Sequence, residues 1–327
     1  MKQQTKDAAL ASFEKYGESK IEKSAAKSFV LSIFAGMFIA IAFVFYITVT
    51  TGAGDLPWGL TRLMGGLVFS LGLILVVVCG GELFTSTVLS TVGWVQGLYS
   101  TKQLLMCWIR VYLGNLVGAT ILVSLVMMAK MHLLDGGSWG INVLQVAQHK
   151  LHHTWSQAFV LGLLCNLLVC LGIWMTMSSK DMLTKSLLLI LPVAMFISSG
   201  FEHSVANMFM VPLGIIINST SSAEFLISHG FASGHFADLT WSNFINHNLI
   251  PVTLGNIVGG GVVVGLGYWL AAKETLQTTH IKTIEKTIKG LPMKNSLNTL
   301  TVNDVQDTNP VVVLQTQTIY EALSMLT

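Results

Sequence analysis

Long apolar runs separated by short polar breaks set the pattern of this chain, and their spacing predicts helices throughout. The runs at about residues 29–51, 104–131, 158–177 and 249–272 are continuous and long enough to cross roughly 30 Å of hydrocarbon. Gly52-Ala53-Gly54-Asp55 with Pro57 ends the first of them. Two further runs are too long for one straight crossing. Leu187 to Ile217 is 31 residues with only two ionisable side chains, Glu202 and His203; an unbroken helix of that length measures about 46 Å. Ser198-Ser199-Gly200 at its centre is a weak helix sequence and predicts a break. Leu63 to Val92 has the same character: its only charge is Glu82, directly after Gly80-Gly81. Ahead of the first run, residues 5–26 place Ala8, Leu10, Ala11, Phe13 and Ile21 among Lys and Glu, which predicts a surface helix. Residues 138–155, with His149, His152 and His153, and residues 218–245 read as polar connections. Pairs of overlong apolar segments interrupted in corresponding places point to a membrane transport site. A further echo supports a duplication: Gly114-Asn115-Leu116-Val117-Gly118 follows the first interruption and Gly255-Asn256-Ile257-Val258-Gly259 the second.

Composition agrees with the spans. Of 327 residues, 52% are hydrophobic and 10% charged, against about 25% charged in a typical soluble domain. The net charge of +2 carries no nucleic-acid signal. The distribution of lysines matters more. Six stand in residues 1–27, Lys102, Lys180 and Lys185 stand in two connections, and five follow residue 272, whereas the connections at 52–60 and 218–245 have none. Six spans with this asymmetry put both termini in the cytoplasm. The lysine-rich N-terminus has no short apolar core ending at a small-residue site and does not read as a cleaved signal. Cys79, Cys107, Cys165 and Cys170 lie in apolar runs with no disulfide or metal spacing. The chain therefore divides into an N-terminal amphipathic arm, 1–24, a six-helix domain, 25–271, and a polar tail, 272–327, with no function assigned to the tail.

The interruptions carry the candidate chemistry. A helix restarted inside a membrane presents free backbone N–H groups that favour an anion. Thr85 and Ser86 follow the first break and Ser204 the second, and these are N-cap residue types. Histidine's natural pKa lies close to physiological pH, and His203 stands directly after the second break, where it either serves an anion or is a satisfied core residue. A bare carboxylate would repel an anion, so Glu82 and Glu202 are expected to be tied to backbone N–H groups, anchoring the broken loops. Phe69 and Leu73 share one helix face, and Phe196 sits one turn before the second break; they are either dry gates or ordinary core. His149, His152 and His153 have no carboxylate partner nearby in sequence, and no metal site or cofactor is expected.

The strings AFVFYITVTTGAG (42–54), GGELFTSTVL (80–89), LPVAMFISSGFEHSVANMFMVPLGI (191–215) and NLIPVTLGNIVGGG (248–261) resemble the formate/nitrite transporter family, nearest to its formate channels. The resemblance covers roughly residues 25–271. It implies a homopentamer of aquaporin-like bundles: all-α, six transmembrane helices, an inverted repeat, helices two and five broken. It implies His203 and Thr85 at the pore centre, constrictions at Phe69, Leu73, Leu83 and Phe196, pore-lining Asn166 and Asn256, and a gating role for the N-terminal arm. A cytoplasmic formate-producing enzyme is a candidate partner at that arm. The resulting expectation is a pH-responsive formate channel of the inner membrane, conducting in both directions, and not an enzyme. Nitrite or hydrosulfide is the alternative substrate within the family. An aquaporin-type neutral-solute channel is disfavoured, since no Asn-Pro-Ala break or arginine filter stands at Gly81–Thr85 or Gly200–Ser204.

Overall fold

Helix starts are written into the sequence by capping residues, and the structure uses them. The computed structural model describes residue 12 and residues 14–271; the tail after 271 and most of the arm before 14 lie outside the described residues. A short helix α1 (14–21) precedes α2 (Ala25–Thr50), whose first turn is capped by Ser24 Oγ accepting from the Lys27 N–H. α3 (Trp58–Val78) follows, then a short α4 (Phe84–Thr87) extended through a 3-10 turn into α5 (Thr91–Val95). α6 (Thr101–Met128) and α8 (Trp155–Met177) both begin with complete capping boxes, Ser100 with Gln103 and Thr154 with Gln157. Between them lies α7 (Ser138–Leu151). Asp181 caps α9 (Met182–Ser198) through Oδ2 and the Thr184 N–H at 2.7 Å. α10 (Ser204–Thr220) and the short α11 (Ala223–Ser228) lead to α12 (Trp241–Ala271).

Among the described residues the fold is all-helical, and α2, α3, α6, α8 and α12 are long and apolar enough to cross a membrane; α9 and α10 are shorter apolar helices. Leucines at 74% (Leu191) and 68% (Leu183) exposure are expected of surface facing lipid. The chain is a multi-pass membrane protein. Its two overlong runs are both divided. α3 ends before Cys79 and the helix restarts at Phe84; α9 ends before Ser199 and restarts at Ser204. Gly80 (φ 77°) and Gly200 (φ 73°) take left-handed backbone at the two breaks, which only glycine adopts without strain.

Two polar connections are more ordered than expected. Residues 138–151 form helix α7, because Trp139, Val143, Leu144, Ala147 and Leu151 make one apolar stripe that is buried against α10. α12 starts at Trp241 rather than near 249, and widens into a π turn over Phe244–Leu249. Pro251 stands two residues after it; it lacks an N–H, so the ladder before it cannot close normally.

α2 packs on α6 and α3, α3 on α9, α9 on α8, and α8 on α12. Without a hydrophobic drive inside lipid, such pairs depend on close backbone approach. A Cβ at Gly255 or Gly259 would overlap the carbonyl oxygens of Phe159 or Leu163, and one at Gly36 or Gly118 those of Asn115 or Ile33. Gly259→Ala must therefore separate α8 from α12. Its expected cost is about 3 kcal/mol, the scale of core overpacking, and size-exclusion chromatography should show loss of the assembled species. A fully assembled variant with unchanged melting temperature would contradict this.

Candidate functional site

Each break is held by one asparagine in the same way. At the first, Asn115 Oδ1 accepts from the Phe84 N–H at 2.9 Å, while Nδ2 donates to Glu82 O and Ser32 O at 2.9 and 2.8 Å. At the second, Asn256 Oδ1 accepts from the Ser204 N–H at 2.9 Å, and Nδ2 donates to Glu202 O and Gly162 O at 3.0 and 2.7 Å. The Glu82 N–H donates to Leu31 O and the Glu202 N–H to Leu161 O. The sequence echo around Asn115 and Asn256 is thus a duplicated clamp. Family resemblance gave Asn256 as a pore-lining residue rather than a clamp, and Asn115 was not singled out, although the repeated Gly-Asn-x-Val-Gly string contained the signal.

This changes the capping expected for Thr85, Ser86 and Ser204. The first N–H of each restarted helix is taken by an asparagine. Leu83 and His203 occupy the two N-cap positions, Leu83 with no side-chain bond. Within the described residues the N–H groups of Thr85 and Val205, at matching places in the two restarts, form no hydrogen bond, so both are available donors.

His203 and Thr85 come together. Both are buried, and His203 Nε2 lies 3.0 Å from Thr85 Oγ1. The Ala206 N–H donates to His203 Nδ1 at 3.1 Å. A backbone N–H can only donate, so Nδ1 is an acceptor and the ring proton stands on Nε2. Nε2–H then donates to the Thr85 hydroxyl, whose own hydrogen remains free for another acceptor. Asn166 Nδ2 donates to Thr85 O at 3.0 Å and to Asn256 O, linking the restart of the first break to α12; its Oδ1 is buried without a partner.

Apolar side chains stack against this pair. The Phe196 ring lies 6.1 Å from the His203 ring and 6.2 Å from Phe69. Phe69, Leu73, Leu83 and Phe196 are all essentially inaccessible. Sequence reasoning set these residues as gates on both sides of a polar centre or as ordinary core; the ring contacts join Phe69 and Phe196 to His203.

The glutamates have partners other than those expected. Glu82 is paired to Lys20, at 2.7 Å, and to Lys23, both from the N-terminal segment. Glu202 is paired to Lys150 of α7 at 3.0 Å and accepts from Asn207 and Asn248 amides at 2.6 and 3.3 Å. Ammonium and amide groups, not backbone N–H groups, neutralise these carboxylates. The reason is topological: α1 and α7 bring lysines far away in sequence to the two breaks. The histidines just past the end of α7 also gain carboxylate neighbours, His152 at 2.8 Å from Asp238 and His153 at 3.8 Å from Glu202. Burial holds His149 and His153 below the usual imidazole range. A cavity of about 270 Å³ opens over the second break, lined by Phe43, Tyr46, Arg62, His149, Lys150 and Glu202 among others.

Two restarted half-helices whose starts meet at a buried imidazole–hydroxyl pair, inside an apolar helical bundle, define a membrane transport protein. The chain belongs to the formate/nitrite transporter family, whose sequence model, described as "Formate/nitrite transporter", matches residues 7–270. It is similar to the formate channel FocA of Escherichia coli K12, with 53% identity over 257 residues, 79% of this chain and 90% of the relative. The formate channel FocA of Haemophilus influenzae is 49% identical over 247 residues, 76% of this chain and 87% of that one. A solved structure described as a pentameric formate channel with formate bound matches with a TM-score of 0.73 and 56% identity, covering 76% of this chain and 98% of that chain.

Proposed function

We propose that the protein is a formate channel of the inner membrane, built as a homopentamer with one pore per subunit. The reading has six crossings in an aquaporin-like inverted repeat: α2, α3 with α4 and α5, α6, α8, α9 with α10, and α12. It divides the chain into an N-terminal arm (1–24), a channel domain (25–271) and a tail (272–327), with both termini cytoplasmic. The observation that carries it is the buried His203–Thr85 contact at the junction of the two half-helices, in a chain 53% identical to a formate channel.

A carboxylate entering the membrane loses its water and needs donors in exchange. The freed hydroxyl hydrogen of Thr85 and the open N–H groups of Thr85 and Val205 are such donors, and none carries a permanent charge that would trap the anion. Asn166 and Asn256 hold the surrounding backbone. Phe69, Leu73, Leu83 and Phe196 exclude water on either side, so that only a small solute passes. Glu82 and Glu202, each matched by lysine, anchor the loops without presenting a bare negative charge. Nothing in this chemistry is limited to formate; the donors accept nitrite or hydrosulfide equally, and the identity to formate channels favours formate.

The test is flux into liposomes for formate, nitrite and hydrosulfide in parallel. Formate flux well above the other two is expected; nitrite or hydrosulfide flux exceeding it reassigns the substrate. Thr85→Ala leaves Nε2–H of His203 unpaired, a local cost of about 1–2 kcal/mol, and should lower formate flux about tenfold or more while the oligomer persists. Unchanged flux in an assembled Thr85→Ala channel would show Thr85 to be packing alone. Native mass measurement in detergent should return five copies; a stable monomer contradicts the assembly.

A further inference from the structure

Arg62 stands where the repeated construction of the two breaks is not symmetrical. Where α9 ends, Ile197 O still accepts from the Gly200 N–H at 3.0 Å, but Ser198 O has no backbone donor among the described residues. Arg62, just past the first turn of α3, reaches across to both: Nε donates to Ser198 O at 2.9 Å and Nη2 to Ile197 O at 3.0 Å. Its Nη1 donates to the Tyr46 hydroxyl at 3.3 Å, and Ser198 Oγ donates back to Arg62 O at 2.9 Å. A Cβ on Gly200 would already meet the guanidinium at 3.1 Å. The corresponding position in the second half of the duplication, counted from the paired glutamates, is Met182, which cannot do this.

The same guanidinium lines the cavity of about 270 Å³ together with Lys150, Glu202, Ile197 and Gly200. Glu202 is matched by Lys150. Among the described residues no carboxylate pairs with Arg62, so its charge is the uncompensated one on that wall. The C-terminal end of α9 would otherwise present negative partial charge there.

We propose that Arg62 is a positioning residue of the anion pathway. By taking the Ser198 carbonyl, which the helix leaves open, and adding a second donor to Ile197 O, it fixes the loop that delivers His203, and it turns a wall that would repel an anion into one that admits it. This rests on the anion-channel reading above.

The experiment compares unmodified protein with Arg62→Met, Arg62→Gln and Arg62→Lys in liposomes, reading formate flux against formate concentration at low and high salt, with assembly checked by size exclusion. Arg62→Met and Arg62→Gln should raise the half-saturating formate concentration about tenfold, the scale of one screened unit charge, and should weaken the salt dependence of flux. Arg62→Lys keeps the charge and should stay within about threefold of the unmodified protein. If Arg62→Met does not assemble, the Gln and Lys pair decides alone. Equal half-saturation in Gln and Lys variants overturns the proposal, as does lower maximal flux that only tracks the assembled fraction. Flux absent in the unmodified protein removes the channel reading and this inference with it; flux present there with unchanged half-saturation in the variants removes the inference alone.

Discussion

Lys150→Met should destabilise the protein by about 3 kcal/mol, at the lower end of the cost of removing one partner from a buried ion pair. Glu202 is 2% exposed and the Lys150 side chain 11%, so water cannot replace the ammonium. Lys150 Nζ contacts both carboxylate oxygens, at 3.0 and 3.2 Å. The Asn207 and Asn248 amides remain on Oε2, which keeps the loss from being larger. In detergent, a thermal midpoint lower by about 6–12 °C is expected for a domain of this size. The control is Lys150→Met with Glu202→Gln, which removes the stranded charge and should recover most of the loss. An Arg62-lined cavity facing an unpaired Glu202 would also pass anions poorly, so formate flux should fall in the single variant and partly return in the double one. Equal melting of the single variant and the unmodified protein would show that the pair contributes nothing to the break.

The second large effect is expected from His203→Asn, read through pH. As found, His203 carries its proton on Nε2 and accepts from Ala206 through Nδ1. It can give a proton to an anion only after gaining a second one, and Nδ1 must first release the Ala206 N–H. A bound anion and a second ring proton attract each other by about 4 kcal/mol at about 4 Å for an effective dielectric of about 20. Formic acid is a stronger acid than imidazolium, so formate arrives charged at neutral pH. Lower pH then favours the doubly protonated ring, stronger anion capture, and release of neutral formic acid through the Phe69–Phe196 zone. Flux in the unmodified protein should therefore rise as pH falls from about 8 to about 5. Asparagine is a good N-cap and can take over the Ala206 contact, so the second half-helix should still form. It cannot titrate, and its shorter amide does not reach Thr85. The expected result is an assembled channel with lower flux that changes by less than about twofold across that range. Superimposable pH profiles for the two proteins would make His203 structural.

Much of this architecture was legible before any coordinates. A bilayer imposes a length on apolar runs, so the overlong stretches around Gly80 and Gly200 had to break, and both do. The duplicated Asn115 and Asn256 strings marked a repeat, and the fold shows its reason: an identical backbone problem has an identical side-chain solution. His203 was singled out by its position just past the second break; Thr85 was matched to it by family resemblance, and the fold brings the two together. Local sequence also determined the helix starts at Ser100, Thr154 and Asp181, since a cap acts only on the next turn.

Only the tertiary structure decided the partners. Lys20 and Lys23 meet Glu82, Lys150 meets Glu202, and Arg62 meets Ile197 and Ser198, all across sequence separations over which periodicity carries no information. The helical state of α7 was readable in its apolar stripe, but its role was not, because nothing in residues 138–151 says which break its lysine will face. The tautomer of His203 likewise depended on the Ala206 N–H pointing at Nδ1, a consequence of how the chain turns into α10. Burial and charge pairing are properties of neighbours in space. The sequence alone states which groups need a partner inside the membrane, and the fold chooses which partner each one receives.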